Sequence, residues 1–222
     1  MVQDTIALQE NLNKELEAVS IILINQFGSI EALIADGWQD AVYSQLTENE
    51  KMIDEQENLF IKNASIKLAV MANKAKLLRK IASTHQAILF MEIISELTID
   101  FADNLKKIDL NKPECAEFKG DLQESFGVLK NIVHTVVFGL LKEDIALTYP
   151  IAEKSEEIDK LLCQTMENLL DFYREIPLDN EELQCLLCQS HIICLMEKIQ
   201  KFTINIAKLI IFVSEGPDIR RQ

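Results

Sequence analysis

The chain has few of the residues that interrupt regular structure, with only 6 glycines and 4 prolines among its 222 residues. An all-β fold needs a turn about every 8–12 residues, and such turns draw on glycine and proline. Their scarcity therefore argues against an all-β fold and favours long helices. Because 48% of the residues are hydrophobic, the chain can bury a sizeable core, as one long domain or two small ones.

Positive charge is also scarce. The chain has 36 acidic residues against 22 basic ones, which gives a net charge of −14, and the sequence contains no basic cluster. Nucleic-acid binding depends on Lys and Arg neutralising phosphates, so no nucleic acid is expected as a partner. Anionic lipid is disfavoured by the same electrostatics. An acidic surface suits cations or a basic protein instead.

Long apolar runs are missing as well. The most apolar stretch, residues 206–213, is interrupted by Lys208 and is far shorter than the ~20 residues needed to span a bilayer. The first residues are acidic, and no basic region precedes an apolar segment as in a secretory signal. The 5 cysteines are an odd number, which without such a signal favours reduced thiols. We therefore expect a soluble cytoplasmic protein.

Helix-breaking residues occur at few places and divide the chain into six long helices. The clearest boundary is at Asp109 to Pro113, because the residue before a proline avoids the helical region. Pro150 should either start or kink the fifth helix, and Asp179 with Glu182 predicts a capping box at the start of the sixth. The first predicted helix ends at residue 36, and the next three span about residues 38–68, 76–108 and 114–141. The fifth follows a corner at residues 142–144, has Pro150 near its start and ends at Pro177, and the sixth spans about residues 179–216.

Apolar residues recur at three- and four-residue spacing along each predicted helix, as Phe90, Ile94, Phe101 and Leu105 do in the third. Short loops make successive helices antiparallel neighbours. The prediction is an all-α fold of two tandem three-helix up-down-up bundles. We assign residues 1–109 to the first bundle, 113–216 to the second and 217–222 to a frayed tail.

The two halves also resemble each other in sequence. Residues 41–54 (A-V-Y-S-Q-L-T-E-N-E-K-M-I-D) align with residues 146–159 (A-L-T-Y-P-I-A-E-K-S-E-E-I-D). Residues 96–105 (E-L-T-I-D-F-A-D-N-L) align with residues 197–206 (E-K-I-Q-K-F-T-I-N-I). The two motifs recur in the same order, which indicates an internal repeat.

Acidic residues four apart form rows on the second and third predicted helices. Glu50 and Asp54 share one helix face, and so do Glu96 and Asp100, with Glu92 one turn earlier. If these helices are antiparallel neighbours, the carboxylates can converge into an oxygen-rich site of the kind that hard cations prefer. The same spacing recurs elsewhere in this acidic chain, so spacing alone is weak evidence for a site.

The second half carries this pattern incompletely. Ser155 occupies the position that corresponds to Glu50, and Lys201 occupies the position that corresponds to Asp100. A lysine there would replace a cation rather than bind one. Asp159 and Glu197 remain, and they form at most a degenerate second site.

The repeated motifs resemble those of the PhoU family of phosphate-uptake regulators, over roughly residues 12–216. The family's third-helix motif reads like E-R-I-G-D-H-A-x-N-I-A. In the first copy it is matched by Glu96, Asp100, Ala102, Asn104 and Leu105, and in the second by Glu197, Asn205, Ile206 and Ala207. Leu97 and Phe101 replace the family's arginine and histidine, so the chain resembles a divergent member.

The resemblance implies tandem three-helix bundles in a cytoplasmic, often dimeric protein that restrains phosphate uptake by binding rather than catalysis. The partners that the resemblance implies are components of the phosphate ABC transporter and a sensor histidine kinase. The protein would therefore meet the membrane only through these partners. The resemblance also implies a metal ion (iron, zinc, manganese or magnesium) at Glu50, Asp54, Glu96 and Asp100. It does not separate a regulator of an ABC transporter from one that serves another phosphate carrier.

Two other functions remain open: a metal-dependent enzyme that uses the same acidic cluster, and a helical scaffold without metal. A ferritin-like oxidase is disfavoured because none of the three histidines has the Glu-x-x-His spacing of di-iron bundles. No nucleophile-elbow, phosphate-loop or dinucleotide motif is present. The residues Cys185, Cys188, His191 and Cys194 follow at steps of three, which drift around a helix. We therefore interpret the cysteines as small buried apolar residues, not as a zinc site.

Overall fold

The computed structural model describes the backbone of residues 2–70, 75–176 and 178–215, and side chains within residues 10–63, 77–113, 115–151, 153–176 and 178–213. Within these ranges the chain forms six long α-helices, which confirms the all-α prediction. They are α1 Val2–Asp36, α2 Asp40–Val70, α3 Ala75–Leu105, α4 Ala116–Lys142, α5 Ile151–Arg174 and α6 Asn180–Glu215. The predicted stop at Gly216-Pro217, the frayed tail and most of the predicted link at residues 70–74 lie outside the described residues.

The helices form two three-helix bundles, as predicted. Helices α1, α2 and α3 contact one another, and so do α4, α5 and α6. The bundles meet where α3 packs on α6 and where α1 packs on α4. Buried hydrophobic residues from all six helices belong to one cluster. The two bundles therefore share a continuous core, and the division into two domains stays a prediction.

Aromatic side chains fill the junction between the bundles. Phe126 of α4 stacks on Phe27 of α1, with ring centroids 5.8 Å apart, and lies 5.7 Å from the ring of Phe101 of α3. All three side chains are buried. A second contact joins Phe90 of α3 to Phe202 of α6, with ring centroids 5.8 Å apart. Burying a side chain of this size stabilises a fold by about 1.5–3 kcal/mol, so this junction contributes strongly to stability.

Two helix ends follow directly from local sequence. Gly37 has a φ of 87° and its N–H donates to the Leu33 carbonyl at 3.1 Å, which is the left-handed ending that glycine favours. At the start of α6, Asp179 Oδ1 accepts from the N–H groups of Glu181 and Glu182 at 2.7 and 3.0 Å. Glu182 Oε2 accepts from the Asp179 N–H at 2.8 Å. The predicted capping box is confirmed.

The start of α5 departs from the internal repeat. Residues 41–43 are α-helical, but the aligned residues 146–148 of the second half lie in a 3-10 turn, Ile145–Thr148. Pro150 follows as the N-cap, with a φ of −72°, and α5 begins at Ile151. Proline lacks the N–H that a helix interior needs and has a φ suited to a helix start. It therefore starts the fifth helix and does not kink it.

Two stretches are long and apolar enough to cross a membrane by length and composition alone, Glu10–Asp36 and Ala116–Lys142. Neither is an uninterrupted apolar run, the feature on which the sequence prediction rested, because charged residues are spaced along both. In the fold, 44% and 50% of their most apolar windows are buried, and both helices contribute to the shared core. Core helices of soluble proteins meet the same criteria, so the length and composition of these two helices are weak evidence for membrane spans.

Candidate functional site

The candidate site lies where α2 and α3 run side by side. Early in α2, the Tyr43 hydroxyl donates to Asp103 Oδ1 near the end of α3, at 2.7 Å. Late in α2, the Phe60 ring stacks on His85 near the start of α3, with centroids 5.6 Å apart. Early α2 thus meets late α3, so the two helices are antiparallel. Their middle turns, which carry the predicted acidic rows, face each other.

Glu92 is at the electrostatic centre of this contact. Burial raises its pKa first, because a carboxylate loses hydration there, and neighbouring carboxylates raise it further, to about 7. The carboxylates that do so are Glu96 on α3 and Glu57, Asp54 and Glu50 on α2. The negative charges of five acidic side chains are therefore concentrated in one region. From the sequence, Glu92 was predicted only to extend the acidic row of the third helix.

Glu50 belongs to the same group. Burial raises its pKa, and the charges of Asp54 and Glu96 raise it further, while Lys51 opposes them. Two of the other predicted ligands, Asp54 and Glu96, are therefore close enough to Glu50 to repel its carboxylate. The structure brings together the predicted rows of α2 and α3.

Asp100, the fourth predicted ligand, lies one turn beyond Glu96 and is exposed. Among the described residues, it is not one of the charges that shift the pKa of Glu50 or Glu92. Its backbone carbonyl accepts from Asn104 Nδ2 at 2.7 Å. The cluster is therefore centred on Glu92, about two turns from Asp100, and the ligand role of Asp100 stays a prediction.

Sequence reasoning missed Glu57, which belongs to the cluster and is only 9% exposed. Its Oε1 lies 4.0 Å from Nε2 of His85. The signal was present, because Glu57 follows Glu50 by seven residues and Asp54 by three, and both spacings keep side chains on one helix face. We define the acidic cluster as Glu50, Asp54, Glu57, Glu92 and Glu96.

The acidic cluster has the charge of a cation site without its geometry. Among the residues that the structure describes, no three His, Cys, Asp or Glu side chains are placed to hold one metal ion. The carboxylates are near enough to raise the pKa values of Glu50 and Glu92, but they do not form a ready set of ligands. The metal site implied by the resemblance therefore stays a prediction.

The corresponding place in the second bundle has a different chemistry. Gln200 Nε2 donates to Ser155 Oγ at 2.9 Å and to the Ser155 carbonyl at 3.0 Å. Lys201 Nζ lies 3.5 Å from Glu197 Oε2, and Asp159 is exposed on α5. Neutral hydrogen bonds and an internal ion pair thus occupy this contact. The degenerate second site at Asp159 and Glu197 stays a prediction.

The row of Cys185, Cys188, His191 and Cys194 lies on α6, as predicted, and the side chains differ in exposure. Cys188 is buried and Cys185 partly buried, whereas His191 and Cys194 are exposed. The four side chains therefore point in different directions around the helix. The interpretation of these cysteines as buried apolar residues was wrong for Cys194, because steps of three carry the row from the core to solvent.

No protein-family model matches the chain, and no curated protein sequence matches it. Among solved structures, the crystal structure of PhoU from Pseudomonas aeruginosa is similar, with a TM-score of 0.83 and 18% sequence identity. The similarity covers 95% of this chain and 99% of that one. The likeness to PhoU that the repeated motifs indicated is thus confirmed at the level of structure. The chain has the PhoU-like fold of two three-helix bundles.

Proposed function

We propose that this protein is a negative regulator of phosphate uptake and phosphate signalling that acts by binding other proteins and not by catalysis. The observation that carries the proposal is the likeness to PhoU over nearly the whole length of both chains. A second support is that three acidic residues of the motifs that resemble the PhoU family, Glu50, Asp54 and Glu96, lie together between α2 and α3.

The proposed partners are components of a phosphate transporter, of the ABC type or another phosphate carrier, and a sensor histidine kinase. The protein would be a cytoplasmic homodimer that meets the membrane only through these partners. A net charge of −14 and the acidic cluster suit a partner surface rich in Lys and Arg, because complementary charge speeds association and selects partners.

Phosphate uptake in cells that lack this protein tests the proposal directly. In excess phosphate, uptake and a phosphate-starvation reporter are expected to stay high, because the brake on the transporter is missing. Returning the unaltered gene should restore shut-down. Normal shut-down of phosphate uptake in the deletion strain would mean that the protein has a PhoU-like fold without the proposed function. Capture of its binding partners would then be the informative experiment.

A helical scaffold that works without metal is the second candidate. It is favoured by the absence, among the described side chains, of three ligands placed to hold one ion. The two candidates differ in whether a cation matters. A regulator that depends on a cation loses control of uptake when the acidic cluster is neutralised, whereas a metal-free scaffold keeps it.

We propose that the acidic cluster binds a divalent cation weakly, with a dissociation constant on the order of 10⁻⁴–10⁻³ M. Concentrated negative charge attracts the ion, but the carboxylates must move to coordinate it, which lowers the affinity. In a Mn²⁺ titration, Glu96→Gln is expected to weaken binding at least about tenfold, since charge-assisted contacts contribute about 1.5–3 kcal/mol each.

The matched control is Glu117→Gln. Glu117 also begins an E-x-x-x-D pair, but it is exposed on α4, away from the acidic cluster. Glu117→Gln makes the net charge less negative by the same one unit as Glu96→Gln, and it should leave the titration nearly unchanged. If both substitutions weakened Mn²⁺ binding equally, binding would depend only on the net charge of the protein, and the proposed cation site would be wrong.

A further inference from the structure

Two cysteines meet in the second bundle, away from the acidic cluster. Cys115 ends the 3-10 turn Pro113–Cys115 that leads into α4, and it is the N-cap of that helix. Cys185 lies in the second turn of α6. Gln189, one turn after Cys185 on the same face of α6, donates from Nε2 to Cys115 Sγ at 3.7 Å, so Cys115 lies against the face of α6 that carries Cys185. A rotation of the two side chains that brings their sulfur atoms together would allow a disulfide bond.

A cleft of about 570 Å³ opens onto this pair, and both cysteines line it. Cys185 is partly exposed and Cys115 is only 5% exposed. The cleft is many times larger than a water molecule, whose share of liquid volume is about 30 Å³. A small oxidant can therefore reach Cys185, whereas Cys115 is sheltered behind it.

The surroundings of Cys185 favour the thiolate. The hydrogen bond from Cys115, a second one from Tyr173 and the charge of Lys112 lower its pKa to about 6, against opposing effects of burial and of Glu181. Burial and the hydrogen bond with Cys185 raise the pKa of Tyr173, so its hydroxyl stays protonated and donates. Since the thiolate is the reactive form of cysteine, Cys185 is the better nucleophile of the pair at neutral pH.

We propose that Cys115 and Cys185 are a dithiol–disulfide pair that hydrogen peroxide oxidises and a dithiol reduces again. Cys185 thiolate attacks one peroxide oxygen, the O–O bond breaks, and the departing hydroxide takes a proton to become water. Cys185 is then a sulfenic acid. Cys115 attacks its sulfur, the S–O bond breaks, and the second hydroxide leaves as water with the Cys115 proton. Both sulfurs are oxidised by one electron each, and one peroxide is reduced to two waters.

The disulfide would join the start of α4 to the second turn of α6, across the cleft. A transient bond of this kind is compatible with a reducing compartment, where disulfides that form are mostly regulatory or catalytic. The proposal does not depend on phosphate regulation, since it concerns only the thiols and the cleft.

Peptide mapping of the reduced full-length protein after one equivalent of hydrogen peroxide tests the pair. We expect a linked peptide that contains Cys115 and Cys185, a fall in free thiols from five to three, and recovery with dithiothreitol. Cys163→Ser, which changes an exposed thiol on α5, should still yield the linked peptide. Thiol loss without that peptide, or linkage of another pair, would overturn the proposal.

The pH dependence of alkylation at Cys185 provides a second readout in the unaltered protein. Its midpoint is expected near pH 6, and Cys115→Ala and Tyr173→Phe should each move it upward, because each removes a hydrogen bond to the thiolate. Circular dichroism checks that both variants remain folded. A midpoint near 8.5, the ordinary thiol value, in the unaltered protein would overturn the role of Cys185 as the attacking sulfur.

Discussion

Replacing Glu92 by glutamine is expected to stabilise the fold at pH 8, raising the free energy of unfolding by about 1–2 kcal/mol. In the folded protein the pKa of Glu92 is raised from 4.5 to about 7, by burial first and then by Glu96, Glu57, Asp54 and Glu50. At pH 8 the folded state must therefore hold an ionised carboxylate among four others. Glutamine has nearly the same shape and carries no charge.

The sign follows from proton binding. Between pH 4.5 and about 7 the folded state keeps the Glu92 proton while the unfolded chain releases it, so the stability contributed by this group declines as pH rises. The loss is complete above about pH 7. A shift of this size corresponds to about 3 kcal/mol, and we take about half because solvent reaches the side chain and screens its charge.

Urea unfolding and thermal melting at pH 5 and pH 8 measure the effect. At pH 8 we expect the melting temperature to rise by about 2–8 °C in a chain of this length, and at pH 5 most of the difference should be gone. Glu124→Gln, at an exposed position on α4, should change stability by less than about 0.5 kcal/mol. A gain that is equal at both pH values would show that charge at Glu92 is not its cause.

Glu92→Gln also tests whether a cation binds at the acidic cluster. A cation that binds only the folded state stabilises it by mass action, and it would screen the carboxylates around Glu92. Millimolar Mn²⁺ should therefore raise the stability of the unaltered protein more than that of Glu92→Gln. The gap between the two proteins at pH 8 would then narrow.

Helices and their ends were predictable where the cause is local. Gly37 ends α1 with a left-handed backbone that glycine adopts at no steric cost, and Asp179 with Glu182 starts α6 through hydrogen bonds within four residues. The start of α5 was less predictable. Pro150 permits either a kink or a start, and its neighbourhood decided between them: a 3-10 turn precedes it.

The candidate site was predictable only in part. Four-residue spacing identified Glu50, Asp54 and Glu96, because it places side chains on one face of a helix whatever the fold. Spacing does not give the rotation and offset of one helix against the next. The rotation and offset of α2 against α3 place Glu92 at the centre of the cluster and bring Glu57 into it, while Asp100 lies further along α3.

The proposed pairing of Cys115 with Cys185 could not be predicted from the sequence. The two residues are far apart in the chain, and no spacing rule connects a helix N-cap to the second turn of another helix. The contact arises because α4 packs on α6. Contacts of this kind depend on the packing of whole helices, which the periodicity of a single helix does not encode.

Phe126→Ala is expected to lower the free energy of unfolding by about 3–5 kcal/mol, the range for removing a buried aromatic ring. Phe126 is 2% exposed, and its ring contacts Phe27 of α1 and Phe101 of α3. The substitution leaves a cavity where the two bundles meet. Such a loss is a large share of the 5–15 kcal/mol that typically separates folded from unfolded states.

The control is Phe138→Ala, on the same helix. Phe138 is 53% exposed, and Lys142 Nζ lies 5.6 Å from its ring centroid. Truncating it removes little buried area and one exposed cation–π contact, so the cost should stay below about 1 kcal/mol. Equal losses in the two variants would mean that the junction is not tightly packed around Phe126.

The same experiment tests whether the bundles unfold together. The single tryptophan, Trp38, lies at the α1–α2 corner and contacts Tyr43, with the rings tilted and their centroids 4.9 Å apart, so its fluorescence reports on the first bundle. Circular dichroism reports on both. Because the core is continuous, the two signals should shift together in Phe126→Ala, although residue 126 belongs to α4. In the opposite outcome, the Trp38 fluorescence of Phe126→Ala would keep the unfolding midpoint of the unaltered protein, while about half of the helical circular-dichroism signal was lost at lower denaturant. The bundles would then be independent domains, and their shared core would not make them unfold cooperatively.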